Sequence, residues 1–207
     1  MNPLTVIMPA AGKGTRLNLP YPKEILRLDK EQALIDHSFD FFKDYTRRDV
    51  EFVIVVNEEK TDIVKYLSRY KDKFNISFTY QNPNEHEYTG AIKSAKHLFG
   101  EKNVVMLPDT IMTLKPNVDL FDAVQKSLSE TGFTFFYKKE SNEQMLKTKG
   151  ALSIDTSGFV QAYEDKPVID FERFNAFWCS FAFDYVAFDA AISFMEKSTL
   201  RQQVLAN

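Results

Sequence analysis

A chain of 207 residues, 44% of them hydrophobic, has room for one large domain with a well-filled core, which excludes wholesale disorder. A net charge of −3 and a pI near 5.7 argue against a surface for nucleic acid or an anionic membrane, so an anionic ligand must be met by a local cluster of cations. The single cysteine, Cys179, allows no internal disulfide, and the apolar run 4–8 is cut off by Pro9 too early for a signal peptide or membrane span. The expectation is a soluble, cytoplasmic protein.

In chain order, residues 4–8 read as a buried strand, 51–56 as a second with Phe52, Val53, Ile54, Val55 and Val56 in succession, 76–80 as a third strand by its alternation, and 104–107 as a fourth, buried run ended by Pro108. Between them, 33–45, 61–70, 88–99 and 118–128 carry apolar residues at three- and four-residue spacing, which predicts helices. Past Gly132 the texture changes. Residues 133–137, 151–154 and 159–163 read as strands, the last two joined by a turn at Asp155-Thr156-Ser157-Gly158. Residues 140–148 read as an exposed loop or short helix, 174–183 as an aromatic strand and 185–195 as a closing helix. The alternation predicts an α/β fold: a Rossmann-like, doubly wound, mostly parallel mixed sheet with helices on both faces.

Directly after the first strand comes Gly12-Lys13-Gly14-Thr15-Arg16-Leu17, and then Lys23 in Pro22-Lys23. Glycines let a backbone approach a ligand, successive N–H groups point at anions, and a nearby Arg and Lys neutralise the remainder, so the natural ligand is a polyphosphate. The dinucleotide pattern G-x-G-x-x-G fails because Leu17 stands at the third glycine, and the P-loop pattern fails because Lys13 lies between the glycines. A plain strand-to-helix turn is the bland alternative.

The run Ile7-Met8-Pro9-Ala10-Ala11-Gly12-Lys13-Gly14-Thr15-Arg16-Leu17, followed by Pro22-Lys23-Glu24, Leu107-Pro108-Asp109, Gly150 and Glu164-Asp165-Lys166-Pro167, resembles the sugar-1-phosphate nucleotidylyltransferases, most of all their UTP–glucose-1-phosphate branch. The resemblance implies attack of a sugar-phosphate oxygen on the α-phosphorus of a nucleoside triphosphate, UTP or dTTP first, with release of pyrophosphate. It implies Arg16 and Lys23 as catalytic cations, the first on the β- and γ-phosphates and the second at the α-phosphate. Ala10, Ala11, Gly12, Gly14 and Thr15 would cradle the nucleotide, with Gln81 and Gly90 at the base. Gly150, Glu164 and Lys166 would bind the sugar phosphate, and Asp109 would hold Mg²⁺. A single nucleotidyltransferase domain over 1–207 follows, with 1–131 as the nucleotide-binding half and 132–207 as the acceptor half. The expected partners are a nucleoside triphosphate and a sugar 1-phosphate, with no nucleic acid and no membrane.

Several alternatives stay open. A second metal-binding Asp in a Gly-rich context has no match, and the base-reading Gln is followed by glycine nine residues later instead of five. Uracil, thymine and cytosine all remain. The short stretch between Arg16 and Pro22 resembles compact cytidylyltransferases acting on phosphocholine or similar alcohol phosphates, so CMP transfer to a non-sugar alcohol phosphate or phosphonate competes, as does a non-catalytic sugar-nucleotide-binding module. Asp109 also reads as a turn former and Gly150 as a turn glycine. His37, His86 and His97 lack zinc spacing, no G-x-S-x-G elbow exists, and Cys179 reads as a buried neutral thiol. The aromatic stretch 174–188 reads as core, with Trp178 lining an acceptor pocket or a subunit contact of a homo-oligomer.

Overall fold

The structure, a computed structural model, describes residues 3–205 other than Lys13, Thr15, Arg16 and Asn18, with residues 198–205 described as helix backbone alone. Four parallel strands form its first half: β1 (Leu4–Pro9), β2 (Val50–Val56), β3 (Asn75–Tyr80) and β4 (Lys102–Met106). β1 lies between β2 and β4, and β3 forms the edge beyond β2. The apolar runs of β1, β2 and β4 become strands because they are covered on both faces, whereas edge strand β3 is largely exposed, and the alternation of side chains decides which face each residue serves.

Leu4, Val6 and Met8 join Phe52, Ile54, Val104 and Met106 on one face. That face is covered by α1 (Asp36–Asp40), α2 (Thr61–Leu67) and α4 (Leu120–Glu130) through Phe39, Ile63, Leu67, Leu120, Val124 and Leu128. Ile7, Val53, Val55 and Val105 line the other face, under α3 (Glu87–Ser94) and α6 (Phe188–Leu205), which contribute Ala91, Ile92, Phe188, Ile192 and Met195. Each such buried Val, Leu, Ile, Phe or Met side chain stabilises the fold by about 1.5–3 kcal/mol. No described helix is long and apolar enough to cross a membrane.

The second half adds β5 (Phe133–Lys139), the one-turn α5 (Glu143–Leu146), β6 (Gly150–Ile154), β7 (Val160–Asp165) and β8 (Ala176–Asp184). Here the sheet is less parallel than expected: β8 pairs antiparallel with β4, β5 and β6, and β6 pairs antiparallel with β7. The sheet is therefore mixed, with a parallel core β3-β2-β1-β4 and an antiparallel remainder. The short β6–β7 turn forces that pair to be antiparallel, because a parallel return needs a crossover of about a dozen residues, while the antiparallel pairings of β8 are made with strands distant in sequence.

The helix expected over 33–45 contracts to α1. Ala33 is held in a bridge to Arg27, and the buried Asp36 carboxylate accepts from the Ala33 N–H (2.8 Å) and from the hydroxyls of Tyr66 and Tyr70. Beyond Asp40 the chain turns tightly, with Phe42 N–H donating to Phe39 O at 2.9 Å. Stacking of Phe39 on Phe52 and Tyr70, at 4.1 and 4.3 Å between centroids, outweighs continued helix.

One feature of β8 positions the site. Along one of its edges, β4 pairs with residues 180–184 and β6 with Ala176 and Phe177. The C-terminal end of β4 thus faces the N-terminal end of β6 across a break in the sheet, beside Trp178 and Cys179.

Candidate active site

The parallel strands end on one side of the sheet, where open α/β folds bind ligands. β1 delivers the glycine loop there, β2 Asn57, β3 Gln81 and β4 Asp109. β6 begins and β7 ends beside them, with Gly150 opposite Asp165 in register. Ten of the expected site residues, from Ala10 to Lys166, fall on this rim or the loops that leave it. Thr15 and Arg16 lie outside the described residues.

The loop is tied down at its base. The Ala10 N–H donates to Val55 O (2.8 Å), so that amide belongs to the sheet and is not directed at a ligand. The Asn57 side-chain amide donates to Ala11 O (2.7 Å), while its carbonyl accepts from Glu59 N–H (2.9 Å) and caps a short 3-10 turn, Glu58–Lys60. A Cβ on Gly12 would meet nothing within 4 Å. Gly14 has φ +65°, the left-handed region where any L side chain is strained, and it faces the Lys23 side chain.

Lys23 opens another 3-10 turn, Lys23–Ile25, just after Pro22. Its neighbour Glu24 is buried and paired with buried Lys60 at 2.8 Å, and the Glu24 carbonyl accepts from Ile35 N–H at 2.9 Å. A buried carboxylate with a directed ammonium partner is costly to disrupt, so this pair fixes the backbone from which Lys23 projects. Lys23 Nζ in turn donates to Asp109 Oδ2, each side chain keeping about a third of its surface open (29% and 32%). The two charged residues, 86 positions apart, thus meet at the mouth of the site. A cavity of about 220 Å³ lies beside them, lined by Gly14, Pro20, Tyr21, Lys23, Glu59 and Lys60 among others.

Gln81 continues β3, its N–H donating to Val56 O (2.9 Å), and its side-chain amide braces the following loop by donating to Glu85 O (2.8 Å). Gly90 sits in α3 against that loop: a Cβ there would fall 2.6 Å from the Glu85 carbonyl carbon. The pairing of these two residues is therefore one of loop packing, with Gln81 at the strand end and Gly90 buried behind it.

At the start of β6, a Cβ at Gly150 would fall 1.9 Å from Trp178 Nε1, so the space a side chain would take belongs to the indole. Trp178 is buried and packs on Tyr88 (5.6 Å between centroids), whose hydroxyl lies 2.5 Å from that of Tyr163. The indole N–H faces Tyr163 without a directed hydrogen bond. Burial pushes both tyrosine hydroxyls up, reinforced by their mutual contact at Tyr88 and by Asp165 at Tyr163, so both stay neutral. Glu164, the next residue of β7, is also buried, on the opposite face of the strand from Tyr163. Lys166 takes φ +53°, rare for a residue with a side chain, while its N–H donates to Lys149 O (2.8 Å) and its ammonium meets Asp165 at 3.2 Å.

Among the described residues no group of three or more His, Cys, Asp or Glu side chains could hold a metal. Asp109 therefore offers a single carboxylate, which suits Mg²⁺ only in the mode where substrate phosphate oxygens and water complete the octahedron. The Lys23 ammonium already stands on that carboxylate as a cation would. Burial pushes the partly buried Cys179 thiol up, in keeping with a neutral thiol. Sequence reasoning gave no role to Lys60, Asn57 or Tyr88. Lys60 lies in Asn57-Glu58-Glu59-Lys60, which has the composition of a solvated surface and carries no local signal of a buried partner.

A family model described as nucleotidyl transferase matches residues 4–205. Among solved structures, one described as a glucose-1-phosphate thymidylyltransferase from Bacillus anthracis in complex with sucrose superposes with TM-score 0.74 at 18% identity, covering 98% of this chain and 83% of that one. A UDP-glucose pyrophosphorylase complexed with UDP-glucose gives TM-score 0.71 at 17% identity, covering 91% and 78%. A UTP-bound UGPase from Acinetobacter baumannii gives 0.69 at 14%, covering 91% and 76%. At these identities the likeness is one of fold. No curated protein matches the chain by sequence.

Proposed function

The chain belongs to the nucleotidyl transferase family, and from that premise we propose that it transfers a nucleoside monophosphate from a triphosphate, UTP or dTTP first, to a sugar 1-phosphate with release of pyrophosphate. The observation that carries this reading is the gathering of the glycine loop, the Lys23–Asp109 pair and the Gly150–Glu164–Lys166 cluster on one rim of the sheet. Structural neighbours described with bound UDP-glucose and bound UTP support the same chemistry.

A phosphate oxygen is an anion near neutral pH, so the reaction needs no general base. What it needs is neutralisation of two polyanions and a fixed line of attack. In this reading the exposed Gly12 and left-handed Gly14 bring loop backbone to the triphosphate, Thr15 belongs to the same cradle, and Arg16 takes the β- and γ-phosphates. Lys23 leaves Asp109 for the α-phosphoryl oxygens and stabilises the charge that develops there. Lys166, aimed by its left-handed backbone, holds the acceptor phosphate, and Glu164 accepts from acceptor hydroxyls. Gln81 would read the base once its side-chain amide leaves the Glu85 carbonyl that it braces in the ligand-free site. Asp109 would hold Mg²⁺ together with triphosphate oxygens, and the ion when bound supplies charge neutralisation between the phosphates. Residues 1–131 then serve the nucleotide and 132–207 the acceptor.

Trp178 favours a second reading. Its indole fills the space over Gly150 and narrows the acceptor side, which suits a compact alcohol phosphate and CMP transfer. Pyrophosphate release from UTP, dTTP and CTP, each paired with glucose 1-phosphate and with phosphocholine, separates the two. Release only with CTP and phosphocholine overturns the sugar reading.

A further inference from the structure

Lys23 and Asp109 are assigned above to different partners, a phosphate and a metal, yet in the ligand-free site they hold each other. We propose that Lys23 is a placeholder cation: it keeps a free divalent ion off Asp109 and yields the carboxylate only to a metal that arrives on a triphosphate. The inference rests on the functional reading of these two residues.

Three observations carry it. The first is charge. The pair is neutral, so a bare divalent ion must displace or face an ammonium at contact distance, whereas a metal–triphosphate complex is a net anion and attracts that ammonium as its metal reaches the carboxylate. The second is the lack of help: among the described residues no further metal-ligating cluster includes Asp109, so one carboxylate would have to hold the ion without its counter-charge. The third is mobility of the right part. The Lys23 backbone is fixed by the 3-10 turn and by buried Glu24 on Lys60, while its side chain is part exposed and borders the cavity under Gly14. The ammonium can therefore swing from Asp109 towards the loop without any backbone change. Metal and nucleotide then bind as a coupled pair, each raising the other's affinity by the same factor.

The test is a titration with Mn²⁺ alone, free ion being read by electron paramagnetic resonance. Lys23→Met should bind Mn²⁺ about tenfold or more tightly than the wild type in the absence of nucleotide, within the range of site couplings. The gain should vanish in Lys23→Met/Asp109→Asn. Equal affinities in wild type and Lys23→Met, whether tight or weak, overturn the proposal. Lys23→Gln provides a second neutral variant, and circular dichroism checks the fold of each. A separate arm measures retention of Mn²⁺ with UTP, dTTP or CTP by the wild type: if none is retained, the functional reading fails, whatever Lys23 does to free Mn²⁺.

Discussion

From β1 to β4, Gln81 and Asp109 follow closely on their strand ends, while Lys23, farther along the chain from β1, is held by the 3-10 turn it opens and by the buried Glu24–Lys60 pair. From β5 to β8, the acceptor groups are positioned by partners from distant segments: Gly150 by Trp178, Tyr163 by Tyr88, Glu164 by the strand pairing beneath it. Strand topology therefore places most rim residues of the parallel half, with Lys23 the exception, whereas packing against Trp178 and Tyr88 governs Gly150 and Tyr163 in the antiparallel half. Substitutions in the first half should therefore act on chemistry with little effect on folding, whereas those in the second should move both together.

The sharpest contrast is at Lys23. Lys23→Ala removes a part-exposed cation whose backbone is held elsewhere, so kcat/KM should fall about 100- to 1,000-fold with an unchanged denaturation midpoint, measured by steady-state pyrophosphate release and urea unfolding. Lys60→Met breaks the rule on purpose, because it leaves buried Glu24 without its counter-charge. A loss of about 3–5 kcal/mol in urea unfolding is expected, with much of it recovered in Glu24→Gln/Lys60→Met.

On the acceptor side, Gly150→Ala forces the Trp178 indole aside. A loss of about 1–3 kcal/mol is expected, together with a raised acceptor KM and unchanged triphosphate affinity by calorimetry. Unchanged stability would show that the indole moves freely and would remove the packing explanation. The smallest effect has the opposite sign. Lys166→Gly relieves a left-handed residue and should stabilise the fold by up to about 1 kcal/mol while weakening acceptor binding, so stability and function separate at one position.

The same contrast explains what could be read in the sequence. The buried strands were legible because their apolar runs are covered on both faces, and the glycine loop because its residues are contiguous. The helix over 33–45 was over-extended because the side chain of Asp36 is turned inward by Tyr66 and Tyr70, some 30 residues away. The antiparallel half of the sheet was hidden because strand order depends on which edge β8 selects, a matter of non-local pairing. Gly150 read as a turn glycine or ligand contact, and Lys60 as a surface charge, for the same reason. In each case the deciding partner lies beyond the reach of a local pattern.

The most direct test of the account follows both products at once, with triphosphate and acceptor present together. Wild type should form pyrophosphate and the nucleotide-linked product in equal amounts, and neither when the acceptor is left out. Lys166→Ala should lose turnover while still retaining the triphosphate. A wild-type protein that retains triphosphate and forms neither product with any phosphate acceptor would contradict nucleotidyl transfer and leave a binding module.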